Sequence, residues 1–206
     1  MARTWNGTVG AHTGAAMLVV LALAACGGTM PRPEPGTSQG TPPDLRGSRV
    51  VVLPVQQVVG VSGDLDAEIA FGLQDHSREV TWVLAPEVER MLARSPAIRA
   101  RTRGLQVGRF LSGEVRRIGD PLYGELRRMS ALVDADAILL PVQAAISGEV
   151  GEDPKINLSA AIVDPRTGRV AWFGVVEGDA FPAGDPRGLA SVVDRLARTL
   201  LWYVGR

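Results

Sequence analysis

Two stretches of this 206-residue chain constrain its fold most: Arg49–Val55, RVVVLPV, and Ala135–Val142, ADAILLPV. A strand with one wet face alternates apolar and polar residues. These runs hardly alternate, so both of their faces must be covered. Coverage on two sides calls for helices above and below a sheet, and the neighbouring sequence supplies them. Leu65, Ile69 and Leu73 recur every four residues after the loop VSGDLD and predict a short helix. Val80, Trp82 and Leu84 alternate as a further strand. Pro86 then sits where a helix begins, at the position that needs no N–H, and Val88, Met91 and Leu92 give that helix its apolar stripe. Asp120-Pro121 predicts another start, a capping side chain followed by proline, with Leu122, Leu126, Met129, Leu132 and Val133 on the buried side. Residues 97–119 mix arginines with single apolar side chains and predict at most a short strand near 107–111.

The most sharply defined local motif is INLSAAIVDPRTGRVAWFGVVEG. Ile156, Leu158, Ala160 and Ile162 alternate with Asn157, Ser159, Ala161 and Val163, and a second alternating run carries Val170, Trp172 and Gly174. Between them, Pro165 suits the first central position of a type I turn and Gly168 supplies a positive φ. Asp164 is expected to close this turn with its own side chain. A last helix starts at Asp185-Pro186 and presents Leu189, Val192, Val193, Leu196, Leu200 and Leu201 on one face. The expected fold is a single α/β domain. Its mixed sheet has about five strands, with a C-terminal hairpin, flanking helices and a terminal amphipathic helix.

The N-terminus gives an address. Residues 15–25, AAMLVVLALAA, carry no charge and are too few to span a bilayer, which takes about 20. They fit the apolar region of a secretory signal. The run stops at Cys26, the only cysteine. Leu23-Ala24-Ala25-Cys26 resembles the bacterial lipobox, which implies removal of residues 1–25 and attachment of diacylglycerol (palmitate-type chains) to the Cys26 thiol. Two or three chains anchor firmly where one is marginal. Gly27 after the cysteine resembles the pattern of lipoproteins sent to the outer membrane, periplasmic face. Residues 26–45 are rich in Gly, Pro, Thr and Ser, and such a segment predicts a disordered tether. The folded domain is then expected over residues 46–206.

The strand VVVLPV, the helix leading into ADAILLPV, the hairpin and the amphipathic C-terminal helix together resemble an envelope fold group. That group includes the N-terminal domain of the Tol-Pal system's propeller protein, the curli-secretion lipoprotein and the outer-membrane lipoprotein that activates a penicillin-binding protein. Asp164, Gly168 and Trp172 carry the resemblance in the hairpin, and Ala135-Asp136-Ala137 in the strand. It implies action by binding: an envelope protein partner, a membrane contact through the anchor, or a homo-oligomer. It implies no enzyme and no cofactor.

Composition and motifs agree. Lys and Arg total 22, as do Asp and Glu, and loss of residues 1–25 would remove Arg3 alone. The charge balance therefore excludes the strongly basic surface that nucleic-acid binding requires. His76 is the only histidine after the signal and has no partnering nucleophile motif. Asp64, Asp66 and Glu68 alternate but lack the glycine and distal glutamate of a calcium loop. Asp134 and Asp136 are candidates, by spacing alone, for glycan hydrolysis, the rival function, though a cap or turn role fits their place at the start of a buried strand. A pore-forming ring would need lipid-facing strands of about 9–11 residues, and the arginines of 97–119 are wrong for a lipid face. Trp202 and Tyr203, each with a polar end, are candidate partner contacts.

Overall fold

The structure is a computed structural model and describes Met1, residues 31–113 and residues 115–204. The signal region and Cys26 lie outside the described residues. A seven-stranded mixed sheet forms the middle layer. Its strands are β1 (Ser38–Gly40), β2 (Arg49–Val52), β3 (Gln57–Val59), β4 (Thr81–Leu84), β5 (Ala137–Ser147), β6 (Lys155–Val163) and β7 (Val170–Glu177). The order is β1-β7-β6-β5-β2-β4, with β3 also on β5. β2 runs parallel to β4 and to the first half of β5, while β1, β5, β6 and β7 form an antiparallel half.

Helices α1 (Leu65–His76) and α5 (Pro186–Leu200) cover one face; α2 (Ala85–Arg94), α3 (Gly108–Ser112) and α4 (Leu122–Val133) cover the other. The apolar runs explain this. Val50 and Val52 point into the α1/α5 core, while Val51 points into the α2/α4 core. The hairpin alternation divides the same way. Leu158, Ala160, Ile162 and Trp172 face α5, and Ala161, Val163 and Phe173 face the opposite side. Asp185 accepts from the Arg187 amide at 2.9 Å and caps α5, as its position before Pro186 predicts. α4 begins one residue later than expected. Pro121 occupies the capping position, and Asp120 reaches past it to accept from the Gly124 amide at 3.0 Å.

Three expectations are corrected. First, residues 31–45 are not a free tether. β1 pairs with the outer edge of β7, Leu45 is 1% exposed, and the Arg32 guanidinium donates to Gln143 and Ser159. The order comes from backbone pairing, which satisfies the N–H and C=O row that β7 would otherwise expose. It needs few apolar side chains, so composition conceals it. Second, seven strands replace about five. Besides β1, the segment after Pro54 resumes pairing with β5 as β3. Pro54 lacks an N–H, and β5 has a register shift between Pro141 and Gln143; the two prolines break one long parallel ladder in two. The Leu53 amide still reaches Leu139 O at 3.1 Å, and the Gln56 amide reaches Pro141 O at 3.1 Å. Third, residues 107–111 form a helical turn, not a strand. Phe110 is fully buried with its ring 5.1 Å from that of Phe173, and its amide closes on Val107 O at 2.9 Å.

One glycine sits inside a strand for a packing reason. A Cβ at Gly174 would stand 2.4 Å from the Trp172 ring and 2.9 Å from Ser38 Cβ, so the indole and β1 both use the space a side chain would take.

Candidate functional site

In an open α/β sheet, ligands and chemistry gather beyond the carboxyl ends of the parallel strands. Here that place is a cleft of about 260 Å³ at the ends of β2 and β4, bordered by Asp64, Asp66, Glu89 and Arg103. Each polar group there is engaged in building the fold. Asp64 caps α1, accepting from the Ala67 amide at 3.0 Å. Asp66 accepts from the Val55 amide at 2.7 Å and pairs with Arg103 at 2.7 Å. Glu89 accepts from the Thr102 hydroxyl at 2.5 Å. Gln56 donates to the Pro54 and Thr102 carbonyls and accepts from the Leu105 amide at 3.0 Å, pinning loop 102–105 over the crevice. The alternating Asp64, Asp66 and Glu68 therefore do not converge. Among the described residues no group of three or more His, Cys, Asp or Glu is placed to hold a metal ion.

A larger cavity, about 540 Å³, opens on the α2/α4 side between β3, α3 and the start of α4. Leu105, Val107, Phe110, Ile118 and Leu122 form its apolar walls, and Gln57, Arg109 and Asp120 its polar rim. Sequence reasoning missed it. The signal was present in the apolar residues interleaved with arginines over 105–118, but these had no regular period.

The other singled-out residues have structural roles. Asp164 Oδ1 accepts from the Arg166 amide at 2.8 Å and Oδ2 from the Thr167 hydroxyl at 2.6 Å. Burial alone would raise its pKa. The Thr167 hydroxyl and the Arg166 and Thr167 amides outweigh that and hold it below the ordinary Asp range. Gly168 has φ +71°, and an added Cβ would lie 3.0 Å from the Tyr123 ring and 3.1 Å from Ile118 O. The Asp164–Gly168 turn thus also grips the chain before α4: Ile118 N donates to Gly168 O at 2.8 Å.

His76 bonds the Gly72 carbonyl through Nδ1 at 2.8 Å and Asp194 through Nε2 at 3.1 Å, locking α1 to α5. Asp134, at φ 52°, ends α4 in the left-handed conformation. Asp136 accepts from the Arg49 amide at 3.0 Å and pairs with Arg166 at 3.2 Å. The carboxylate pair suggested for glycan chemistry is therefore one helix terminus and one strand clamp. Tyr203 is 7% exposed, with the Arg46 guanidinium 4.9 Å above its ring. Burial, then the nearby Asp44 charge, raises its pKa and keeps the phenol neutral. It is a core residue. Trp202 is 42% exposed and donates to Pro42 O at 3.2 Å. No helix among the described residues is long and apolar enough to cross a membrane.

No protein-family model matches the chain, and no curated protein matches it. Solved structures do. The chain is similar to the LpoB C-terminal domain from Salmonella enterica, with 16% identity over 66% of this chain and 86% of that one, at a TM-score of 0.40. It is similar to PelC from Paraburkholderia phytofirmans, solved as a dodecamer, with 14% identity over 82% and 98%, at 0.42. A lipoprotein from Neisseria meningitidis matches with 15% identity over 73% and 99%, also at 0.42. At such identities the likeness concerns the arrangement of the chain alone.

Proposed function

We propose that the protein is an outer-membrane lipoprotein, anchored at Cys26 on the periplasmic face, that acts as a non-enzymatic accessory factor by binding an envelope protein. The observation that carries the non-enzymatic part is the engagement of the polar side chains at the carboxyl ends of β2 and β4. A catalytic acid or base must be free to meet substrate. Here Asp64, Asp66 and Glu89 hold a helix start, a strand end and a loop. Asp134, Asp136 and His76 serve comparable structural ends. The lipobox-like LAAC supports the anchor, and confinement near a membrane raises effective concentration toward neighbours. Trp202, exposed at the C-terminal end of α5, is the aromatic most suited to a partner contact.

The test is in-cell crosslinking of the full-length protein with mass spectrometry of what it captures, beside palmitate labelling of wild type and Cys26→Ser. Label lost in Cys26→Ser and one specific envelope partner are expected. Self-crosslinks alone would replace the accessory role with a homo-oligomeric assembly. Cell-wall cleavage abolished by alanine at His76, Asp64, Asp134 or Asp136, with the fold intact, would establish the hydrolase instead.

A further inference from the structure

The corrected tether changes what the cavity faces. Between Cys26 and Arg32, whose guanidinium donates to Gln143 and Ser159, stand only residues 27–31. Six Cα steps span at most about 22 Å. The 19-residue leash expected from composition is cut to a fraction, and the body is held close to the anchor. The chain also enters beside the cavity. Arg32 donates to Gln143 at 3.3 Å, Gln143 donates to Gln57 at 3.3 Å, and Gln57 lines the cavity.

The cavity itself is amphiphilic. Its walls are apolar side chains no more than 7% exposed, while Arg109 stands exposed on its rim. Arg101 and Arg103 of the same segment are neutralised by Glu125 and Asp66. Arg109 has no ion pair among the described residues. A guanidinium left uncommitted beside an apolar recess matches a ligand with a phosphate at one end and hydrocarbon behind it.

We propose that this cavity binds a phospholipid of the membrane that carries the anchor, with the phosphate at Arg109 and the apolar part against Leu105, Val107, Phe110 and Leu122. This rests on the lipid anchor at Cys26. It adds a second contact with the bilayer, one that fixes which side of the domain faces the membrane and leaves the α1/α5 side, with Trp202, turned toward partners.

The experiment uses the full mature lipoprotein in phosphatidylethanolamine vesicles containing phosphatidylglycerol with a photoactivatable acyl chain. After illumination, peptides are mapped by mass spectrometry. Label concentrated in 104–122 is expected. Arg109→Glu should lower it about tenfold, as loss of a charge-assisted contact implies. Gly108→Trp, placed where an added side chain meets open space, should lower it similarly by filling the mouth. Both should melt like wild type. A Gly/Ser spacer of about twenty residues after Gly28 should also reduce labelling by lowering the local concentration. Label spread over other peptides, or unchanged in both cavity variants, overturns the proposal. So does complete competition by inorganic phosphate, which marks an anion site with no use for the lipid. The mass of the N-terminal peptide reports the anchor separately. If Cys26 carries no lipid, the same protein is titrated with short-chain phosphatidylglycerol. Binding weakened about tenfold by Arg109→Glu sustains the site without the anchor, and no binding removes it.

Discussion

The two faces of one sheet are built differently. The α1/α5 face is closed by two helices of 12 and 15 residues packed on each other and on the strands. The α2/α4 face is covered by helices of 10 and 12 residues with a five-residue helix and a long arginine-rich loop between them, and it holds the 540 Å³ cavity. A continuous amphipathic helix can keep its apolar stripe in register along a whole sheet. A covering made of short pieces leaves gaps where their ends meet. The α1/α5 face therefore carries stability, and the gapped face has room for a ligand.

Matched substitutions on the two faces test this difference. Trp172→Ala, removing a side chain 1% exposed in the α1/α5 core, should cost about 3–5 kcal/mol in urea unfolding. Phe110→Ala on the other face should cost less, about 2 kcal/mol, because its site already opens on a cavity and loses fewer contacts. Equal costs would break the comparison. Glycines sharpen it further. A Cβ at Gly72 would meet Val193 Cγ1 at 2.5 Å, so Gly72→Ala should destabilise by about 1–3 kcal/mol. Gly108→Ala enters open space within α3 and should instead stabilise by about 0.5–1 kcal/mol. Thermal melts of the pair would show opposite signs.

An effect of similar size belongs to the hairpin turn shared by both faces. The folded-state pKa of Asp164 is depressed, so its charge contributes stability above the unfolded value near 3.9 and loses it as pH falls through the lower folded value. Asp164→Asn should cost about 1 kcal/mol at pH 7, and the gap should close in melts taken below about pH 4.

Much of the fold was legible because it rests on local signals. The unbroken runs at 49–55 and 135–142, the hairpin alternation, and the Asp185-Pro186 cap each express a short-range rule, and an element forms at each, with β2 stopping at Val52 and β5 running on to Ser147. The strand β1 was not legible. Ser38, Gln39 and Gly40 have no strand-like pattern, and they pair only because β7 offers a free edge. The turn 108–112 was misread for a similar reason: Phe110 is held by Phe173, a residue 63 positions away.

The candidate site divides along the same line. The acidic spacings at 64–68 and 134–136 could be read from the sequence, but not what they touch. Whether a carboxylate is catalytic or structural depends on the amide or guanidinium brought to it, here Val55 and Arg103 for Asp66, and Arg49 and Arg166 for Asp136. Sequence by itself determined the two-sided sheet and the positions of its four longer helices, because hydrophobic period and capping act within a few residues. Only the tertiary structure decided that residues 31–45 join the sheet, that Tyr203 is core and that a cavity with Arg109 on its rim lies beside Gln57. Those depend on contacts between residues far apart in the chain, which no local pattern encodes.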